Sequence, residues 1–221
     1  MQTVIDSIYS GGPKTLCDAN GEWRSSIARQ RVDAPVQVET RGLVADQCTQ
    51  PYHHSPECAI CVHLLDHYQF WRDRYGIHLS PGAVGENFAL AGASEDEICL
   101  GDIVRVGTAL VQVSAPRIPC ANQARHVGQA DWIKLTLKEL RLGFYLRVLE
   151  PGVVQAGDGW QLAEQLNPGS TLVALNRCWY HDFDLAVAQK FTTLPGLMAW
   201  WQGRFAERLA KAGQSNQDAD Q

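Results

Sequence analysis

The chain lacks a basic excess, a long apolar run and the phosphate-cradling loops of nucleotide enzymes, and each absence removes a class of function. Its 19 Lys and Arg stand against 24 Asp and Glu, a formal net charge of −5 with a pI near 5.8. A binder of phosphate backbones carries the opposite imbalance, so nucleic acid is not an expected partner. No stretch of about 18 apolar residues is present, so no membrane span is expected. Met1 to Leu16 shows no basic segment followed by an apolar core. No secretory signal is therefore read, and the expected location is the cytoplasm. Walker A, a G-x-G-x-x-G after a strand and G-x-S-x-G are all missing, as is any ferredoxin-type cysteine run. Redox chemistry in this chain would need electrons from elsewhere.

What is present is an ordinary globular balance. Of 221 residues, 45% are hydrophobic and 19% charged, enough for one large domain or a main domain with a small appendage. Seven cysteines occur, at Cys17, Cys48, Cys58, Cys61, Cys99, Cys120 and Cys178. An odd, scattered set without a secretory signal reads as free thiols of the cytosol rather than as disulfides.

Thr3–Tyr9 reads as a strand, and Ser26–Arg29 and Val36–Glu39 alternate apolar and polar residues, the period of half-buried strands. Ser55-Pro56-Glu57 combines a serine N-cap, a first-turn proline and an acid. Ile60, Leu64, Tyr68, Trp71 and Tyr75 then keep helical spacing, which predicts one helix over 56–75 ended by Gly76. Short strands follow at Ile98–Leu100, Ile103–Val106 and Ala109–Ser114, with Gly107-Thr108 as a turn. Ala130 to Leu140 reads as a helix, and Phe144–Val148, Gly152–Val154 and Trp160–Leu162 as further strands. Many short strands with few helices between them favour a β-barrel or sandwich. Beyond Pro168 the pattern turns helical: Leu172–Tyr180, Asp184–Phe191 and Pro195–Lys211. The expected fold is therefore mainly β with α. A β-barrel-like domain over 1–166 carries a small all-helical appendage over 170–211 and a frayed polar tail over 212–221.

Three features could carry chemistry. In Ser114-Ala115-Pro116-Arg117-Ile118-Pro119-Cys120, two prolines fix their own φ and bias Ala115 and Ile118 to extended geometry. That places a thiol on a stiff elbow beside a guanidinium, which favours the thiolate. The alternative use of Cys120 is as a small apolar core residue. Arg117 is either a solvated cation or a bidentate anion clamp. His53, His54, Cys58, Cys61, His63 and His67 have zinc-like spacing. On a single helix, however, Cys58 and Cys61 fall on one side of the apolar stripe and His63 and His67 on the other, so one helix cannot surround an ion with them. Pro81 to Phe88 forms a glycine-rich loop in which Gly82 and Gly85 can take φ > 0.

Together these segments resemble the MOSC family, named for the C-terminal domain of molybdenum cofactor sulfurases, and within it the 6-N-hydroxylaminopurine-resistance subfamily. Gly101 to Cys120 resembles the family's long signature ending in its cysteine. Pro81-Gly82-Ala83-Val84-Gly85-Glu86-Asn87-Phe88 resembles its P-G-x-x-G-E-N loop. His53 to Ala59, followed by His67-Tyr68, resembles its H-G-G-x-D-K-A segment, here with His54 and Ser55 for the glycines, Glu57 for the acid and Cys58 for the lysine. Upstream, Ala45 stands where a glycine usually precedes Asp46. The helical C-terminus resembles the subfamily's three-helix domain.

The resemblance implies a barrel with a cleft for molybdenum cofactor (molybdopterin), in which Cys120 binds molybdenum through sulfur. Arg117, Asn87 and His53 stand at positions implied to bind the pterin or orient substrate, with Glu86 and Gly85 beside them. Asp46 and Glu57 are implied to orient these groups or relay protons. The implied activity is that of an oxidoreductase that detoxifies N-hydroxylated bases and related N-oxygenated compounds by reducing them to amines. The implied electron source is an external flavoprotein reductase. MOSC domains are also grouped with pyridoxal-phosphate-linked sulfur chemistry. Two other readings stand beside this one: a non-catalytic carrier of the cofactor or its sulfur, and a zinc-stabilised interaction module using Cys58 and Cys61.

Overall fold

The computed structural model describes residues 2–48 and 55–219, with side chains to residue 214. In chain order the elements are β1 (Val4–Ser10), β2 (Lys14–Asp18), β3 (Gly21–Ser25), β4 (Gln30–Val32), β5 (Val36–Glu39), β6 (Gly42–Leu43), β7 (Ile60–Leu64) and α1 (Leu65–Tyr75). There follow β8 (Phe88–Ala91), β9 (Ile103–Val106), β10 (Ala109–Pro116), α2 (Ala121–Val127), α3 (Trp132–Glu139), β11 (Phe144–Glu150), β12 (Gly152–Val154) and β13 (Gln161–Glu164). The helices α4 (Leu172–Tyr180), α5 (Leu185–Phe191) and α6 (Ala199–Ala219) end the chain.

Eight strands form one sheet in the order β13-β9-β10-β11-β7-β8-β1-β4. All neighbours are antiparallel except β7 and β8. The sheet curls until residues 157–160 meet β1: Asp158 O accepts from Ile5 N at 2.9 Å and Thr3 O from Trp160 N at 2.9 Å. These bonds satisfy an edge that would otherwise be left open. The mainly β, barrel-like architecture with a helical C-terminus is what the patterning predicted. Within the curl, Ile5, Ile60, Val62, Phe88, Val111, Val113 and Phe144 form a core that continues into Leu172, Leu175, Phe191, Trp201 and Phe205 of the helices. Side chains of this size contribute about 1.5–3 kcal/mol each when fully buried. A second cluster, Tyr68, Trp71, Ile77, Val84 and Trp132, fixes α1 against α3 and the glycine loop.

Several local expectations are corrected. Residues 56–75 are not one helix: Ser55 caps a 3₁₀ turn at Pro56–Cys58, and then β7 precedes α1. All five β7 residues are buried, so neither a period of 2 nor one of 3.6 shows, and the ladders from β8 and β11 decide the conformation. Ser26–Arg29 is a loop, because the Ser25 hydroxyl accepts from Ile27 N at 3.2 Å and turns the backbone out of register. Ile98–Leu100 makes a single bridge, Cys99 to Thr171, since Cys99 N is taken by the Asp102 carboxylate at 2.9 Å. α6 begins at Ala199, not Pro195, and its backbone runs to Ala219 where a frayed tail was expected. Ala, Lys and Gln in that segment are good helix formers.

Candidate functional site

The elbow delivers Cys120 as expected, and adds a helix that the sequence pattern did not announce. β10 ends at Pro116, and Arg117 N donates to Gly143 O at 2.9 Å, pinning the chain beside β11. Gly143 has φ +78°, and a Cβ there would stand 2.4 Å from Val62 O, so only glycine lets the elbow sit this close to β7. Cys120 is extended (φ −131°, ψ 165°) and is the N-cap of α2, whose Gln123 and Ala124 amides donate to its carbonyl. Its thiol is partly exposed.

Two adjoining cavities meet at this thiol. The inner one, about 60 Å³, is lined by Cys48, Cys58, Cys61, Cys120, Arg29 and Arg117, with Gly85 and Asn87 in its wall. The outer one, about 350 Å³, shares Cys58, Arg117, Cys120 and Tyr145 and opens between Ile118 and the C-terminal helix. Met198, Trp200 and Trp201 form its apolar wall. Trp200 is 48% exposed and Ile118 41%, which places both at the mouth.

Arg117 is the electrostatic centre. It is 6% exposed, and among the described residues its guanidinium makes no hydrogen bond or ion pair. Its Nη1 is fully buried without an acceptor. Burial opposes its charge, but a guanidinium titrates so far above neutral pH that it stays cationic. Cys58 is pushed up to about 12 by burial, then by Cys61 and Glu57, so it stands as a thiol at neutral pH. Burial likewise raises Cys61.

The other residues implied by the motifs hold the walls. Asp46 receives Arg29 through two bonds of 2.7 Å and Gly11 N at 3.0 Å, while Arg29 Nη1 donates to Gly85 O at 2.6 Å. The pair is 8% exposed on each side, a buried clamp that fixes the glycine loop. Gly85 has φ +74°, and a Cβ would fall 2.4 Å from Ile27 Cγ1. Glu86 is fully buried, accepts from Tyr68 Oη and, at 2.6 Å, from Gly82 N, and does not line either cavity. Asn87 lines the inner cavity, but its amide is engaged: Oδ1 accepts from Cys61 N at 3.0 Å and Nδ2 donates to Tyr9 O at 3.2 Å. Glu57 lies outside both linings and accepts from Arg147 Nη2 at 3.0 Å, tying the 3₁₀ turn to the start of the helical segment, since Arg147 also donates to Gly196 O at 2.9 Å. His53 and His54 lie outside the described residues.

The zinc reading finds no support in this geometry. Cys58 and Cys61 fall on a 3₁₀ turn and a strand, and among the described residues no group of three or more His, Cys, Asp or Glu is placed to hold a metal ion. No helix of the described residues is long and apolar enough to cross a membrane.

Sequence reasoning missed Arg29, Trp200 and a polar layer behind the elbow. There the His63 and His67 rings pack in a T-shape with centroids 4.8 Å apart, and Glu95 accepts from Gly143 N at 2.6 Å. Burial, then Arg117, lowers His63 to about 3, and burial raises Glu95 to about 8. The layer therefore stands uncharged at neutral pH, with Gly143 linking it to the Arg117 backbone.

Comparison with known proteins gives the family and the fold. The profile of the MOSC domain family matches residues 49–161. Protein YflK of Bacillus subtilis (strain 168) is 31% identical over 204 residues, covering 91% of this chain and 92% of that protein. A protein named reductase from Gibberella moniliformis (strain M3125 / FGSC 7600) is 32% identical over 165 residues, which are 71% of this chain but only 29% of that protein. The crystal structure of YiiM from Geobacillus stearothermophilus superposes with a TM-score of 0.79 at 35% identity, over 94% of this chain and 99% of that one.

Proposed function

The chain belongs to the MOSC domain family, and from that premise we propose that it binds molybdenum cofactor through Cys120 and reduces N-hydroxylated bases and related N-oxygenated compounds to amines. The observation that carries this reading is the buried guanidinium of Arg117, without a partner among the described residues, in the same cavity as a partly exposed thiol. A buried cation without a counter-charge is costly, so the site suits an anionic ligand, and the guanidinium fork fits a phosphate. A thiolate is a soft donor suited to a metal of this kind. The donor set thus fits a phosphorylated, metal-bearing pterin held by Cys120 and Arg117. When bound, that group would supply two-electron transfer chemistry at the thiol.

The rest of the work falls to the chain. Trp200, Trp201 and Met198 offer a flat apolar wall in a cavity of about 350 Å³, a size suited to a small planar ligand. Reduction of a hydroxylamine takes two electrons and two protons and yields the amine and water. The mouth beside Ile118 and Trp200 is exposed, so solvent can deliver the protons there. The Arg29–Asp46 pair holds the wall of the inner cavity, and the Glu57–Arg147 pair holds the 3₁₀ turn to the start of the helical segment. Electrons would come from an external flavoprotein reductase, and the relative named a reductase supports an activity of this class.

The test supplies electrons from a reduced viologen dye to protein made in cofactor-competent cells, with an N-hydroxylated purine as substrate. Turnover by the wild type and its loss in Cys120→Ala support the reading. Equal turnover by the two proteins, or none by a wild type that carries the cofactor, overturns it.

A further inference from the structure

Four of the seven cysteines, Cys48, Cys58, Cys61 and Cys120, surround the inner cavity. At about 60 Å³ that cavity is only a few water molecules wide. Two of the four are held back from its mouth: Cys61 is buried in β7, and Cys48 receives Arg29 Nη2 at 3.8 Å. Cys58 and Cys120 alone among the four also line the outer cavity, and both are partly exposed. Their backbones are joined through β10. Ser114 Oγ donates to the carbonyl of Glu57 at 2.5 Å, next to Cys58, and β10 leads through the elbow to Cys120. Neither thiol belongs to the apolar core clusters.

We propose that Cys58 and Cys120 are a modification site, joined as a reversible disulfide by a hydroperoxide that enters through the outer cavity. Cys120, at the end of the elbow where the two cavities meet, is the attacking sulfur. Its thiolate attacks the distal oxygen of the peroxide: the S–O bond forms, the O–O bond breaks, Cys120 becomes a sulfenic acid, and the alkoxide (hydroxide from hydrogen peroxide) takes a proton from solvent and departs as alcohol or water. Cys58 then attacks the Cys120 sulfur. The S–S bond forms, the S–O bond breaks, and hydroxide leaves as water with the Cys58 proton. Two electrons pass from the two sulfurs to the peroxide. A bridged Cys120 has no thiolate to give a metal, so oxidation closes the site and a small dithiol reopens it.

The chemistry belongs to the polypeptide alone, so its test does not depend on the proposed cofactor. The full chain is reduced, desalted, exposed to hydrogen peroxide, alkylated and digested with trypsin without reductant. The expected product is the peptide Ile118–Arg125 linked to Gly42–Arg72, with fragment ions placing the bridge at Cys58 rather than Cys48 or Cys61. Two alkylatable thiols are lost, and dithiothreitol restores them. The link persists in Cys48→Ser and is absent in Cys58→Ala, in which Cys120 proceeds to sulfinic acid. If Cys58→Ala does not fold, as judged by its circular dichroism, the wild-type map decides alone. Cys120 reaching sulfinic acid in the wild type without a link, or a bridge to Cys48 or Cys61, overturns the proposal.

Discussion

Replacing Arg117 by methionine should make the cofactor-free protein more stable while removing its affinity for anions. Methionine keeps the apolar stem and adapts to an irregular space, and the bond from the backbone N of residue 117 to Gly143 O is untouched. What is lost is a guanidinium that is 6% exposed and without a partner among the described residues. An unsatisfied buried polar group costs about 1–3 kcal/mol, and more when charged. At the lower end of that range, Arg117→Met should gain about 1–2 kcal/mol. For a chain of this length that is an increase in Tm of about 2–8 °C. The assay is thermal and urea unfolding of protein from cells unable to make the cofactor, with and without pyrophosphate. Pyrophosphate should raise the wild-type midpoint and leave the variant's unchanged. A variant less stable than wild type by 1 kcal/mol or more, or one stabilised equally by pyrophosphate, would refute the reasoning.

Arg29→Met leaves the Asp46 carboxylate buried and unpaired and frees Gly85 O, so urea unfolding should show a loss of about 3 kcal/mol. Glu95 has a folded-state pKa of about 8 against an ordinary 4.5, so the folded state keeps a proton that the unfolded chain has lost. Its stabilisation is therefore full below about 4.5 and falls as pH rises toward 8, by up to about 1.4 kcal/mol per unit. His63 runs the other way between its folded value of about 3 and its ordinary 6.5, and its contribution is complete above 6.5. Between pH 6.5 and 8 the wild type should lose about 1–2 kcal/mol, and Glu95→Gln should flatten that slope in the same unfolding measurement. Trp200→Ala removes the exposed aromatic wall, so KM for a planar N-hydroxylated base should rise about tenfold while kcat stays near wild type.

The elbow was legible because two prolines and a cysteine carry their geometry locally, and the helices α4 and α5 because caps and spacing agree over whole turns. The Gly107-Thr108 turn between β9 and β10 was readable for the same reason. Ile60–Leu64 was not, since a strand buried on both faces has no period of its own and its neighbours settle it. Arg29 and Asp46 are 17 residues apart with no motif between them, and only the closing of the sheet brings them together. Trp200 reaches the cavity from the last helix, 80 residues after Cys120, by tertiary packing alone. Asn87 and Glu86 were identified as a motif, but a motif does not say which side chains face a ligand. The structure spends both on holding strands and loop together, and Glu57 on holding the helical segment.

Cys120 is proposed to hold a molybdenum-bearing pterin whose anionic end meets Arg117. The most direct test is elemental and pterin analysis of protein purified from cofactor-competent cells, wild type beside Cys120→Ser. Molybdenum and pterin should approach one per wild-type chain, with molybdenum largely lost from the serine variant. A wild type without molybdenum and pterin, or a Cys120→Ser protein that retains both in full, would contradict it.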